Sequence, residues 1–117
     1  MASTRIEPAV TVRYSDAFKR QLKRLSRRYR RIRGDVQPLL ERLSVGETLG
    51  DRIQAPGHVL YKVRVRNSDA ARGKSGGYRI IYYIHTETEL LLVAIYCKSD
   101  QADISHRELL EIIDQES

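Results

Sequence analysis

The spacing of hydrophobic positions changes several times along the chain, and each change marks an element. Val10, Val12 and Tyr14 alternate with polar neighbours between Ala9 and Tyr14, the period of a half-buried strand. Phe18, Leu22 and Leu25 then fall at i, i+4 and i+7. That spacing predicts one face of an amphipathic helix, with Ser15 or Asp16 as its N-cap. A second helix is expected from about Tyr29, with Val36, Leu39, Leu40 and Leu43 as its apolar stripe. Pro38 is its awkward member, because an internal proline costs about 3 kcal/mol. The helix is expected either to kink there or to begin near Asp35, with Gly34 as the break. Ser44 to Gly57 carries Gly46, Gly50, Pro56 and Gly57 and reads as a loop with little regular structure.

From Leu60 the period becomes two. Tyr61, Val63 and Val65 alternate with Lys62, Arg64 and Arg66, which predicts a strand with one apolar and one cationic face. The small and polar residues of Asn67 to Gly76 turn the chain into a second strand, Tyr78 to Ile84. Its more apolar set, Tyr78, Ile80, Tyr82 and Ile84, is expected to face the helices, leaving Arg79, Ile81 and Tyr83 on the other side. Leu90 to Cys97 is almost continuously apolar, as in a strand covered on both faces. Ser105 or Asp103 can cap a last helix bearing Leu109, Leu110, Ile112 and Ile113, and Glu108 completes a capping box with Ser105. The predicted order is β-α-α-β-β-β-α. This is an α+β fold: an antiparallel sheet, a three-stranded meander from Leu60 onward, with two N-terminal helices packed on one face and a C-terminal helix.

Composition narrows the picture. The 117 residues suit one domain, taken as residues 1–117. A formal charge of +6 favours polyanionic partners, nucleic acid first among them. Cys97 is the single cysteine, which excludes an internal disulfide and fits a cytoplasmic protein. No stretch approaches the roughly 18 apolar residues of a membrane span, and Met1 to Val10 lacks a signal-peptide core, so no membrane partner is expected. His58, His85 and His106 show no metal-ligand spacing, and neither a metal nor a cofactor is expected.

Lys62, Arg64 and Arg66 share one side of a strand, because side chains two apart point the same way. Such a row is either a solvated face or a polyanion site. Arg79 joins the same face if the apolar set of its strand faces the helices, and Tyr96 and Lys98 join it at the end of the last strand. Together these groups can clamp an RNA backbone and stabilise the charge of a phosphoryl-transfer transition state. Arg72 and Lys74 in the glycine-rich loop add candidate substrate contacts, although a turn is the default meaning of Gly73 to Gly77. The basic run Lys19 to Arg33 reads as a solvated helical face that also favours ribosomal RNA.

Tyr61-Lys62-Val63-Arg64-Val65, Gly76-Gly77-Tyr78-Arg79-Ile80-Ile81-Tyr82-Tyr83 and Ile95-Tyr96-Cys97-Lys98-Ser99-Asp100 together resemble the core of the RelE/ParE toxin superfamily. The stretch Arg72 to Arg79 is most similar to the HigB-like branch. The resemblance covers roughly Leu60 to Glu111. It implies a toxin of a type II toxin-antitoxin system, an endoribonuclease that cuts mRNA in the ribosomal A site by attack of the RNA's own 2′-hydroxyl, without metal. It also implies roles for single residues. Lys62 or Arg64 would help activate the nucleophile, Arg79 would neutralise the phosphorane, and Lys98 would steady the phosphate or leaving group. Arg66, Arg72, Lys74, Tyr96 and His106 would bind substrate. The sequence departs from the RelE pattern in one place: Ala102 to Arg107 offers Ser105 and His106 but no tyrosine, so Tyr96 or His106 stands in for it. The implied partners are the ribosome, mRNA and a cognate antitoxin in a hetero-oligomeric complex. The antitoxin is expected to cover the basic face or displace the C-terminal helix, and to act in trans, because no acidic segment of the chain is able to do this intramolecularly. Two other readings stay open: a ParE-like toxin acting on DNA gyrase, and a binding module that has lost catalysis.

Overall fold

A computed structural model of the chain describes residues 9–70, 77–101 and 103–116. Strand β1 (Thr11–Tyr14) leads into helices α1 (Asp16–Arg28) and α2 (Ile32–Ser44). Strands β2 (Asp51–Ile53), β3 (Leu60–Val65), β4 (Tyr78–Thr86) and β5 (Glu89–Cys97) follow, and helix α3 (His106–Gln115) is the last element. The five strands form one sheet in the order β1-β5-β4-β3-β2. This is the expected α+β architecture with two corrections: an additional strand and a parallel pair.

The parallel pair is β1 with β5, Val12 lying opposite Leu90 and Tyr14 opposite Leu92. The sheet is therefore mixed rather than wholly antiparallel. Alternation marks residues 9–14 as a strand but carries no information about its neighbour. The edge of β5 needs hydrogen-bond partners, and the crossover through α1 and α2 leaves β1 paired to it. Helix α2 begins at Ile32, between the two expected starts, and keeps Pro38 inside it. The carbonyl that Pro38 leaves without its usual bond belongs to Gly34, an exposed residue where water can replace the lost donor.

Tyr78, Ile80 and Tyr82 of β4 and Leu90, Leu92, Ile95 and Cys97 of β5 face Phe18, Leu25, Ile32, Val36, Leu39 and Leu43 of α1 and α2. On the opposite side Leu60, Ile81, Leu91, Val93, Ala94 and Tyr96 pack with Leu109 and Ile113 of α3. The C-terminal helix thus lies on the second face. The reason is β5, whose apolar residues point both ways and require two covers. A bulge adjusts that strand: Ile81 pairs with Ala94 and Tyr82 with Leu92, so Val93 is extra. Ser15 secures the bulge. Its buried hydroxyl donates to the Val93 carbonyl at 2.8 Å and accepts from the Phe18 N–H at 2.9 Å, so α1 is capped and fastened to β5 by one side chain.

Strand β2 lies inside the segment expected to be a loop. Its three residues pair with Leu60 to Lys62 of β3, and just before them the Tyr82 hydroxyl donates to the Leu49 carbonyl and accepts from the Leu49 N–H at 2.8 Å. Gly50, with φ +90°, then passes so close to β3 that a Cβ there would stand 2.4 Å from the Lys62 carbonyl oxygen. Neither constraint is visible in the local pattern of residues 44–57. At the other end of the chain, Ser105 caps α3 in a full capping box with Glu108. Beyond α3, the Glu116 carboxylate accepts from the Asp16 N–H at 2.9 Å, tying this end of the chain to the start of α1.

Two substitutions test this framework by urea unfolding. Tyr82→Phe is expected to cost about 1–3 kcal/mol, since both polar groups of Leu49 lose their partner. Leu109→Ala is expected to cost about 2–5 kcal/mol if α3 is packed against the second face, and under about 1 kcal/mol if it is not.

Candidate functional site

The register sets the geometry of the basic face. Arg64 of β3 is opposite Arg79 of β4, which is opposite Tyr96 of β5, so the three form one cross-strand row. Lys62 pairs with Ile81 in the next row, on the same side of the sheet. The Lys98 N–H donates to the Gly77 carbonyl at 2.9 Å, extending the β4–β5 register by one residue and setting Lys98 beside Gly77. Directly opposed residues on neighbouring strands have Cβ atoms about 5 Å apart, and like charges so placed destabilise a sheet. Arg64 and Arg79 are such an opposed pair.

Gly77 makes room for one of them. Its φ is +58°, and a Cβ there would lie 3.0 Å from the Val65 carbonyl oxygen and 3.7 Å from Nη1 of Arg79. A bare backbone at this position lets β4 enter the sheet and leaves space beside the Arg79 guanidinium, which donates to the Tyr78 carbonyl at 3.4 Å.

A carboxylate stands at the edge of this face. Both oxygens of Asp103, in the segment between β5 and α3, lie 3.4 Å from Nζ of Lys62. Oδ1 accepts from the Tyr96 hydroxyl at 2.8 Å and from the Ile104 N–H at 2.9 Å. Burial alone would raise the carboxyl pKa, but the Ile104 N–H, the Tyr96 hydroxyl and the Lys62 ammonium hold it below the usual carboxylate range. Burial, reinforced by the hydrogen bond and charge of Asp103, pushes the Tyr96 hydroxyl well above the ordinary phenol range, against a weaker opposing pull from Arg79. Tyr96 is only 5% exposed, so its ring is part of the core and its hydroxyl faces Asp103.

The structure therefore brings together Lys62, Arg64, Arg79 and Tyr96, with Lys98 exposed just beyond β5 and Arg66 exposed just past β3. Arg72 and Lys74 lie outside the described residues. His106 is the exposed first residue of α3. His58 packs on Tyr83 with ring centroids 5.4 Å apart, and His85 contacts Glu89 at 3.1 Å, both toward the far end of β4 from Arg79. Lys19, Arg20, Lys23, Arg24, Arg27 and Arg28 lie on α1, mostly exposed as a solvated helical face requires, and Arg28 pairs with Asp100 at 3.0 Å. Asp103 is the residue that sequence reasoning missed as part of the site. The local pattern marks it only as a helix cap, and a single acid has no periodicity to announce a partner 41 residues away. Among the described residues, no cluster of three or more His, Cys, Asp or Glu side chains is placed to hold a metal ion.

A family model described as the RelE toxin of the RelE/RelB toxin-antitoxin system matches residues 18–114, from α1 to the last turns of α3. The chain belongs to the RelE toxin family. A search of curated proteins returned no match. Membership makes this RelE-family protein a toxin of the type II toxin-antitoxin kind and implies a cognate antitoxin as its partner. No helix among the described residues of the toxin is long and apolar enough to cross a membrane.

The depressed carboxyl of Asp103 makes a prediction with a definite sign. A lowered pKa stabilises the fold above the unfolded value, near pH 4, and the contribution is lost as pH falls through the depressed value. With a side chain 59% exposed, the group's contribution is screened to under about 1 kcal/mol. Urea unfolding of Asp103→Asn beside the parent toxin should show a small deficit at neutral pH that fades as the pH falls below the usual carboxylate range. A deficit that persists in acid would locate its cause outside the ionised carboxylate.

Proposed function

We propose that this RelE-family toxin is a ribosome-dependent mRNA endonuclease that cleaves by attack of the RNA's 2′-hydroxyl on the adjacent phosphate. The observation that carries the reading is the Arg64–Arg79 pair, two arginines directly opposed on adjacent strands beside Lys62. A sheet gains nothing from that arrangement by itself, whereas a bound phosphate turns the repulsion into attraction. Charge aimed at the place where negative charge develops commonly contributes more to such catalysis than any other single effect. In this reading Arg79 neutralises the phosphorane, Arg64 and Lys98 hold the phosphate, and Arg66, Arg72 and Lys74 follow the backbone. The stretch Arg72 to Arg79 supports a HigB-like member. Tyr96, buried with its hydroxyl on Asp103, contributes through that contact, and His106 is left at the rim with the flanking RNA. The ribosomal A site supplies the ordered message, and the antitoxin binds the basic face in a hetero-oligomeric complex.

The test is to induce the toxin in bacteria and map mRNA 5′ ends beside an Arg79→Ala control. New ends inside translated frames are expected, falling by about 10²–10³ in the variant, the usual cost of one charge-stabilising donor. Growth arrest with intact messages would transfer the action to another target such as DNA gyrase. RNA binding without cleavage or arrest would leave a binding module.

A further inference from the structure

Phosphodiester cleavage by an internal hydroxyl requires a group to receive the hydroxyl proton, and the basic face is poor in acceptors. Guanidinium groups have five donors and no acceptor, and an ammonium has three donors and no acceptor. That describes Lys62, Arg64, Arg79 and Lys98. The Tyr96 hydroxyl is committed as a donor to Asp103 at 2.8 Å. Asp103 differs from all of these. Its carboxylate is an acceptor as it stands, it lies 3.4 Å from the Lys62 ammonium, and its side chain is 59% exposed where that of Lys62 is 33% exposed. A substrate reaching Lys62 therefore meets the Asp103 oxygens at the same place.

We propose that Asp103 is the general base of the reaction, a role that rests on the nuclease reading above. The 2′-hydroxyl O–H bond breaks, its proton passes to an Asp103 oxygen, and the 2′-oxygen bonds to phosphorus. The P–O5′ bond then breaks, the 5′-oxygen leaves with the bonding pair and takes a proton from water, and Asp103 returns its proton to solvent. The products are a 2′,3′-cyclic phosphate and a 5′-hydroxyl. The charged neighbours each have a part in the arrangement. Lys62 from β3 holds the carboxylate in place and is near the incoming phosphate, Tyr96 from β5 and the Ile104 N–H orient Oδ1, and Arg79 from β4 acts on the phosphate rather than the proton. Asp51, opposite Lys62 on β2, is the other acid beside this row.

The experiment is single-turnover cleavage of mRNA on programmed ribosomes by the full-length toxin and its Asp103→Asn, Asp103→Glu and Asp51→Asn variants, with affinity for the ribosome–mRNA complex measured in parallel. Asp103→Asn is expected to slow cleavage by roughly a hundredfold or more while binding as tightly as the parent or tighter, because a charge that repels phosphate has gone. Asp103→Glu should recover part of the rate, and Asp51→Asn should stay within about threefold of the parent. The parent rate should change little between about pH 6 and pH 8, since the acceptor is already ionised there. Cleavage by Asp103→Asn within about threefold of the parent would overturn the assignment and leave the nuclease reading intact. So would a parent rate climbing about tenfold per pH unit, which marks a base that must first lose its own proton. Equal losses in Asp103→Asn and Asp51→Asn would reduce the effect to local charge and overturn it too. A parent toxin that leaves the message whole would sink both the nuclease reading and the general base.

Discussion

Strand β5 is the constraint on which the rest depends. Its residues from Leu90 to Cys97 are apolar on both sides, and leaving either side in water would forgo about 1.5–3 kcal/mol for each large side chain. One face is closed by α1 and α2, the other by α3, and the edge away from β4 by β1. The Val93 bulge, fastened by Ser15, joins these requirements, because it turns Val93 and Ala94 both toward α3 while α1 stays capped on the same strand.

The basic face is what this covering leaves over. Helix α3 packs on the β5 side of the second face, so the Arg64–Arg79 end of β3 and β4 stays polar, and the open region is also the cationic one. Two glycines allow it. Gly50 lets β2 approach the backbone of Lys62, and Gly77 lets β4 start beside Val65 with space next to Arg79. The shape of the basic face thus depends on two positions with positive φ, where a side chain would clash with β3 at Gly50 and crowd the Val65 carbonyl at Gly77.

Asp103 ties the two halves together. It belongs to the segment that brings the chain from β5 to α3, and it contacts both a core residue, Tyr96, and a surface cation, Lys62. Its ion pair contributes little to stability because it is exposed to solvent. Its larger consequence is local: one negative charge beside Lys62 offsets that cation and takes up the Tyr96 hydroxyl.

Much of this was legible in the residues themselves, because it depends on local periodicity and local capping. The two-residue alternation of Lys62, Arg64 and Arg66 placed the cations on one side of a strand, Ser15 or Asp16 and Ser105 or Asp103 marked helix starts, and the continuous apolar run of β5 required two covers. The period of two also put Arg79 on the face away from α1 and α2, where the register then set it opposite Arg64. What lay beyond the sequence are the relations between distant residues. Strand β2 pairs with β3 just after Leu49, which Tyr82 grips from 33 positions away. The parallel partner of β1, the face taken by α3 and the meeting of Asp103 with Lys62 were likewise decided by tertiary packing. Periodicity reports which way a side chain points along its own strand or helix; only the assembled sheet decides what it points at.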